Sequence, residues 1–355
     1  MKRKKSEYEV QQSNKVKCLL RNSNLFNGDI GGKLFPTDNG LKPKADYLLN
    51  SRNNLHNFMV QDVIDYFIKN EIAFWKTGIN GVDEHNMPTG HTLSSQIACL
   101  NHLYPFRYDK DAVLSIAKQI DPEIVDVMKI ESDAFLPGFI SFEVTSYIDH
   151  LNETKGSQRL RRGTMCTSID ALIYGKLKDN KKIIIPIEWK YTENYHENKD
   201  YSVENRGREK EGKGKERLRR YSNLINCSEQ LSLKKDDYKG SVYFFEPFYQ
   251  LMRQTLLAEQ MIVNRDTETI KAETFIHAHI IPSENKGLLQ YEYPISKKCM
   301  KETWESCLTD TKKYKIIDPK KLLENVDKTK YQALLDYLTI RYWNDNEELS
   351  NVSCE

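Results

Sequence analysis

No stretch of this 355-residue chain approaches the roughly 18 consecutive apolar residues that a membrane-spanning helix requires. The opening Met1-Lys2-Arg3-Lys4-Lys5 leads into polar residues rather than the apolar core of an export signal, so a cytoplasmic protein with no membrane association is expected. Paired cysteines are also missing. The seven present, at positions 18, 99, 166, 227, 299, 307 and 354, form no Cys-x-x-Cys pair and no zinc spacing with histidine, and read as reduced thiols. Nor is there an excess of one charge: 53 Lys and Arg stand against 51 Asp and Glu, so any surface for nucleic acid has to be local. A hydrophobic content of 39% and a mean hydropathy of −0.67 describe a polar chain, long enough for one large domain with additions or for two.

What is present is a pair of apolar segments carrying charge at chosen places. Ile183-Ile184-Ile185-Pro186-Ile187-Glu188-Trp189-Lys190 reads as a strand, and Ser168-Ile169-Asp170-Ala171-Leu172-Ile173-Tyr174 reads as another with a single aspartate. If Lys178-Asp179-Asn180 forms a three-residue loop, Leu177 pairs with Lys181 and Asp170 lies opposite Glu188, with Cβ atoms roughly 4.5–5.5 Å apart. Alternation puts Glu188 and Lys190 on that face, and Ile183, Ile185, Ile187 and Trp189 on the other as a core surface. A two-residue loop would shift the register by one and set Trp189 opposite Asp170. Pro186 removes a ladder donor and prefers an edge or bulge.

The chemistry of the expected cluster is specific. A hard divalent cation takes carboxylate oxygens, and a lysine beside it orients or deprotonates a water for hydrolysis. Acid-x-lysine triplets recur at Glu153, Glu197, Glu211, Asp237, Glu284 and Asp310, but none of these ends a long apolar strand preceded by an aspartate-bearing one. The competing reading, a solvated charge ladder on an exposed hairpin, fits poorly with flanks this apolar.

With these residues in place, the segment Phe142–Glu193 resembles the core of the PD-(D/E)XK nuclease superfamily, the restriction endonuclease-like fold. The phrases Arg162-Gly163-Thr164, Thr167-Ser168-Ile169-Asp170-Ala171 and Ile187-Glu188-Trp189-Lys190-Tyr191-Thr192-Glu193 are similar to those of bacterial type II restriction endonucleases. The resemblance implies an α/β (α+β) fold, with a central mixed β-sheet flanked by helices and helical N- and C-terminal additions. It also implies Asp170, Glu188 and Lys190 as the catalytic triplet, and a supporting metal carboxylate, Glu143, on a helix from Ser141 to Asn152. Gln158–Gly163, Thr167–Leu177 and Lys181–Tyr191 would be the three strands of the meander. Residues 139–144 also alternate like a strand; in that case Glu153 is the other upstream carboxylate to consider. Ile169 stands where the superfamily name expects proline. The implied activity is Mg²⁺-dependent hydrolysis of double-stranded DNA, with Mn²⁺ able to substitute, in restriction-modification defence. A homodimer would cut both strands, and a cognate DNA methyltransferase would be the partner. A repair or mobile-element nuclease of the same fold, or a non-catalytic DNA-binding protein, are the alternatives.

The remainder divides into a loosely ordered segment at 1–55, a helical region at 56–135, the nuclease core at 136–295 and a helical region at 296–355, read as a cap or dimerisation element. A basic insertion at about 195–220 contains, over Lys199–Arg220, nine Lys or Arg against five Asp or Glu. Its Arg217, Arg219 and Arg220 are candidates for DNA phosphates or guanine edges, with Tyr221 able to stack. Ser95 and Gln96, at an expected helix start, are candidates for phosphate contact. Ser241–Phe245 reads as a strand, and Pro247 starts a helix to about Ile262 that aligns Gln250, Arg253 and Gln254 toward the cleft. His277 and His279 share one side of a strand and read as core histidines rather than metal ligands.

Overall fold

In the computed structural model, which describes residues 5–37, 39–74, 87–154, 160, 162–163, 166–195, 213–234 and 241–343, ten α-helices and strands precede the basic insertion. They are α1 (Glu7–Asn22), β1 (Lys33–Thr37), β2 (Gly40–Lys44), α2 (Val60–Lys69), α3 (Ser95–Leu103), α4 (Lys110–Ile120), β3 (Ile124–Met128), β4 (Ile140–Val144), β5 (Ile169–Leu177) and β6 (Lys182–Trp189). The rest of the chain adds α5 (Lys213–Cys227), α6 (Phe248–Val263), β7 (Thr274–Phe275), β8 (His277–Ile280), α7 (Lys286–Leu289), α8 (Met300–Glu305), β9 (Tyr314–Ile317), α9 (Pro319–Leu322) and α10 (Lys328–Arg341). β1 and β2 form a hairpin. The seven other strands make one mixed sheet: β5 is antiparallel to β3, β4 and β6, while β7 and β8 run parallel to β6, and β9 parallel to β8. This is the expected α+β, restriction endonuclease-like architecture.

The turn builds the central hairpin. Asn180 takes a left-handed backbone, φ 71°, which asparagine tolerates, and Leu177 N donates to Lys181 O at 2.9 Å. The ladder then runs from Lys176↔Lys182 to Ala171↔Ile187, the register that the three-residue loop dictates. Because Leu177 and Lys181 are a bonded pair, alternation makes Leu172↔Pro186 a non-bonded one, and the proline nitrogen points away from β5. On that side the parallel neighbour is interrupted: β7 pairs with Ile183 and Ile184, β8 begins its pairing at Ile187, and Ile276 falls between them. A proline is thereby accommodated in a central strand.

Alternation along β6 sorts two cores. Ile183, Ile185, Ile187 and Trp189 pack with Val63 and Phe67 of α2, Ile97 and Leu100 of α3, Val113 and Ile116 of α4 and Leu338 of α10. Ile184, Leu172 and Tyr174 lie in the other core with Leu251, Met252 and Leu256 of α6 and Trp304 of α8. The face bearing Glu188 and Lys190 is therefore roofed by α6, and both faces of the sheet are covered.

Several expected elements differ. Residues 141–152 are not a helix: β4 pairs with β5, and Tyr147 and Ile148, expected on a buried helical face, are 68% and 49% exposed. A short apolar run fits either period, and the vacant edge of β5 decides for the strand. Of the strand expected at 158–163, residues 158, 159 and 161 lie outside the described residues; β3 and β4 occupy that edge of β5, end to end. Residues 242–244 form a 3-10 turn, capped by Ser241, rather than a strand. The regions expected to be helical at 56–135 and 296–355 each lend a strand, β3 and β9, to the sheet. Polar as residues 1–55 are, α1 is a capped helix. Ser6 accepts from Glu9 N, and Tyr8, Val16, Leu19 and Leu20 are buried.

Candidate active site

Sheet register alone lines up three acids. Phe142 pairs with Ala171 and Val144 with Ile169, which leaves Glu143 opposite Asp170. Ala171 pairs with Ile187, so the next step on each strand brings Asp170 level with Glu188, and Glu188 pairs in turn with His279. All four point to the α6 side of the sheet. Asp170, Glu143 and Glu188 line a cleft of about 270 Å³, with Gln250, Arg253 and Gln254 of α6 and Arg220 of α5 also in its walls.

The strands part at this row. Trp189 N, which a continuing ladder would aim at the backbone of β5, donates instead to Asp170 Oδ2 at 2.7 Å. Glu143 has φ 49°, a left-handed conformation that costs a non-glycine residue roughly 1–2 kcal/mol, and it is 3% exposed. Gln96 Nε2 donates to its Oε1 at 2.6 Å. Lys190 Nζ donates to Glu188 Oε1 and, at 2.7 Å, to Gln250 Oε1; Gln254 Nε2 donates to Glu188 Oε2. Glu188 and Lys190 are 2% and 4% exposed.

Burial, then the charges of Glu188 and Glu143, push the Asp170 carboxyl well above the usual carboxylate range. Burial works against the Lys190 ammonium, but Glu188 first, followed by Tyr195, Glu193 and Asp170, outweighs it and raises the group above an ordinary lysine. Three carboxylates thus face one ammonium. Each is turned onto protein donors, so that among the described residues no three His, Cys, Asp or Glu side chains stand grouped to hold an ion. The donor set nevertheless suits a hard, oxygen-seeking cation: the carboxylates outnumber the local positive charge. Gln254 Oε1 is buried beside Glu188 without a partner among the described residues.

The other sequence candidates divide. Gln250, Arg253 and Gln254 do face the cleft, yet as bonded groups: Arg253 Nη1 donates to Thr167 Oγ1 at 3.2 Å and lies 3.5 Å from Glu153 Oε1. Gln96 sits on Glu143 rather than at an open helix terminus, and Ser94 caps that helix ahead of Ser95. Residues 196–212 of the basic insertion lie outside the described residues. Its end is helix α5, where Arg219 is exposed, Arg220 bonds Glu216 at 3.0 Å, and Arg217 stacks 4.4 Å from the Tyr249 ring centroid. Tyr221 cannot stack on a base: it is fully buried and donates to Glu153 Oε1 at 2.6 Å. Glu153, the alternative upstream carboxylate, lines the same cleft but is held by Thr167, Tyr221 and Arg253. His277 and His279 are buried on β8, His279 Nδ1 2.9 Å from Tyr314 OH. Sequence reasoning gave no role to Arg162 or Asp133; neither spacing nor local apolarity distinguishes them from other charged residues.

A mixed sheet that presents a carboxylate row and a lysine at the parting of two central strands defines a restriction endonuclease-like protein. Residues 23–343 match the family described as Restriction Endonuclease associating with ARP, and the chain belongs to that family. No curated protein and no solved structure matches the chain.

Proposed function

We propose that the chain is a metal-dependent endonuclease of the PD-(D/E)XK type that hydrolyses phosphodiester bonds in double-stranded DNA as a defence against foreign DNA. The observation that carries this reading is the row Glu143–Asp170–Glu188 across three adjacent strands, with Lys190 two residues beyond Glu188 on the same face. Asp170 and Glu188 would hold Mg²⁺, or Mn²⁺ in its place, with Glu143 in support. Such a cation, when bound, withdraws charge from the scissile phosphate and makes a bound water acidic.

The protein groups have separate tasks. Lys190, kept protonated beside Glu188, offers an N–H to the attacking water or to charge developing on the phosphate, while Gln250 Oε1 fixes the direction of its ammonium. Gln254 orients Glu188 through its amide. α6 excludes bulk water from the row, which strengthens these interactions. Arg220 and Arg253 in the cleft wall, with Arg217 and exposed Arg219 on the same helix as Arg220, supply positive charge for flanking phosphates. A homodimer would bring two such clefts to the two strands, and a methyltransferase would protect host DNA.

Plasmid cleavage by the purified chain tests the reading. Asp170→Ala, Glu188→Ala and Lys190→Ala are each expected to abolish Mg²⁺-dependent cutting while retaining DNA binding. Full cleavage by the Glu188→Ala protein would sink the assignment.

A further inference from the structure

Glu143 stands in the carboxylate row on a backbone that leaves the normal strand conformation, at φ 49°. The groups that hold that backbone come from one side chain. Arg162 Nε donates to Glu143 O at 3.2 Å and Nη2 to Phe142 O at 2.5 Å, so the guanidinium grips the two consecutive carbonyls that bracket the departure. Its other N–H groups are anchored in turn: Nη1 to Asp133 Oδ1 at 3.0 Å and Asn70 Oδ1 at 2.8 Å, Nη2 to Tyr66 OH at 2.9 Å. Tyr66 OH also accepts from Phe142 N at 3.0 Å, which fixes the preceding peptide, between residues 141 and 142.

The next residue fits the same joint. Gly163 has φ +74°, and a Cβ there would come within 3.2 Å of Ala73 O and 3.4 Å of Glu143 Oε2. Gly163 N donates to Ser168 Oγ at 3.0 Å, and Ser168 O accepts from Gln254, the residue that orients Glu188. One dipeptide therefore touches the backbone of Glu143, the space beside its carboxylate, and the start of the strand that bears Asp170.

We infer that Arg162 and Gly163 form a positioning clamp that sets Glu143 in the row and so determines how tightly the site holds its divalent cation. Arg162 acts through Glu143 and touches neither the scissile bond nor the cation. The inference rests on the metal-site reading above. It predicts that a lysine, which keeps the charge but lacks the planar multi-donor fork, cannot replace Arg162.

The test is a double-mutant cycle read by calorimetric titration of the full chain with Mn²⁺, with thermal melts of each variant in parallel. Arg162→Lys and Glu143→Gln are each expected to weaken Mn²⁺ binding about tenfold or more. The double variant should bind like Glu143→Gln alone, since the clamp then has nothing left to position. Independent, multiplying losses would overturn the clamp, as would a Glu143→Gln defect with wild-type affinity in Arg162→Lys. Wild-type protein that binds no Mn²⁺ would instead overturn the metal reading and the inference together. Should Arg162→Lys fail to fold, Gly163→Ala probes the same joint without touching Asp133: its loss of Mn²⁺ affinity should vanish in the Glu143→Gln background, and persistence there would overturn the clamp.

Discussion

Two buried clusters of charge meet at Glu143, one through its backbone carbonyl and one alongside its carboxylate, and they are built on opposite rules. In the first, Asp133 accepts from Arg107 at 2.9 Å, Arg162 at 3.0 Å, Ser141 at 2.6 Å and Tyr66 at 3.1 Å. Further guanidinium donors go to the carbonyls of Leu136, Ile140, Phe142 and Glu143 and to Asn70 and Tyr66, while Arg107 Nε has no hydrogen-bond partner among the described residues. In the second, three carboxylates share a row with one ammonium, and Asp170 is driven toward its neutral form. A structural cluster closes on itself. A site poised for a positively charged ligand keeps an excess of acid that the fold must hold against repulsion.

The largest effect that would break this contrast is on catalysis. Asp170→Ala or Glu188→Ala should lower plasmid cleavage about 10³-fold, roughly 4 kcal/mol of barrier, while DNA binding is retained. In the Asp133 cluster the outcome should reverse. Asp133→Ala strands the buried Arg107 guanidinium and the partly buried one of Arg162 and should cost about 3–5 kcal/mol in urea unfolding; a loss below about 1 kcal/mol would mean that the cluster is not structural.

Smaller effects sharpen the comparison. Asp170→Asn removes one of the crowded charges and should stabilise the metal-free protein by about 1 kcal/mol at neutral pH while abolishing cleavage. The sign of its pH dependence follows from the raised folded pKa. Between the unfolded carboxylate pKa and the folded one, the native state binds the extra proton, so wild-type stability should fall as pH rises through that window. Asp170→Asn should lack this component. A steeper fall in the variant would contradict the crowding.

His277 shows the opposite sign. Burial, with Lys190 adding to it and Glu188 opposing it, holds the ring at about 4 against an ordinary 6.5, so stability is lost as pH falls from 6.5 toward 4. Neither ring nitrogen has a partner among the described residues. His277→Leu should therefore change stability at pH 7 by less than about 1 kcal/mol and flatten that acid limb, measured by melts across the range. The smallest effect belongs to the exposed Arg219: its replacement by alanine should lower the salt slope of DNA binding by about one and leave cleavage of bound DNA unchanged.

Much of the hairpin was legible because its causes are local. Asn180 accepts a left-handed turn, that turn sets the loop length, and loop length sets the partner of every residue up to Ala171 and Ile187. The α6 helix was legible for the same reason, through Pro247 at its start. Glu143 was found as a residue while its helix was not, because five apolar-alternating residues suit either period until a neighbouring edge chooses. Tyr221 looked like a stacking group from its basic neighbours, but its hydroxyl is drawn inward by a glutamate 68 residues away. Arg162 stood in a phrase that resembles the family, but its role was not legible, since that role lies in contacts to Tyr66, Asn70, Asp133 and Phe142, all at least 20 positions distant.

By itself, then, the amino-acid sequence determined which face of each central strand bears acid and which bears core, because alternation and turn chemistry act over a few residues. Tertiary structure decided the rest. It laid β4 against β5 so that a third carboxylate joined the row. It closed α6 over the acids, sent Arg162 to Glu143, and sorted the arginines into bonded walls and an exposed rim. Those outcomes depend on long-range packing and on buried donors finding acceptors, which no local pattern encodes.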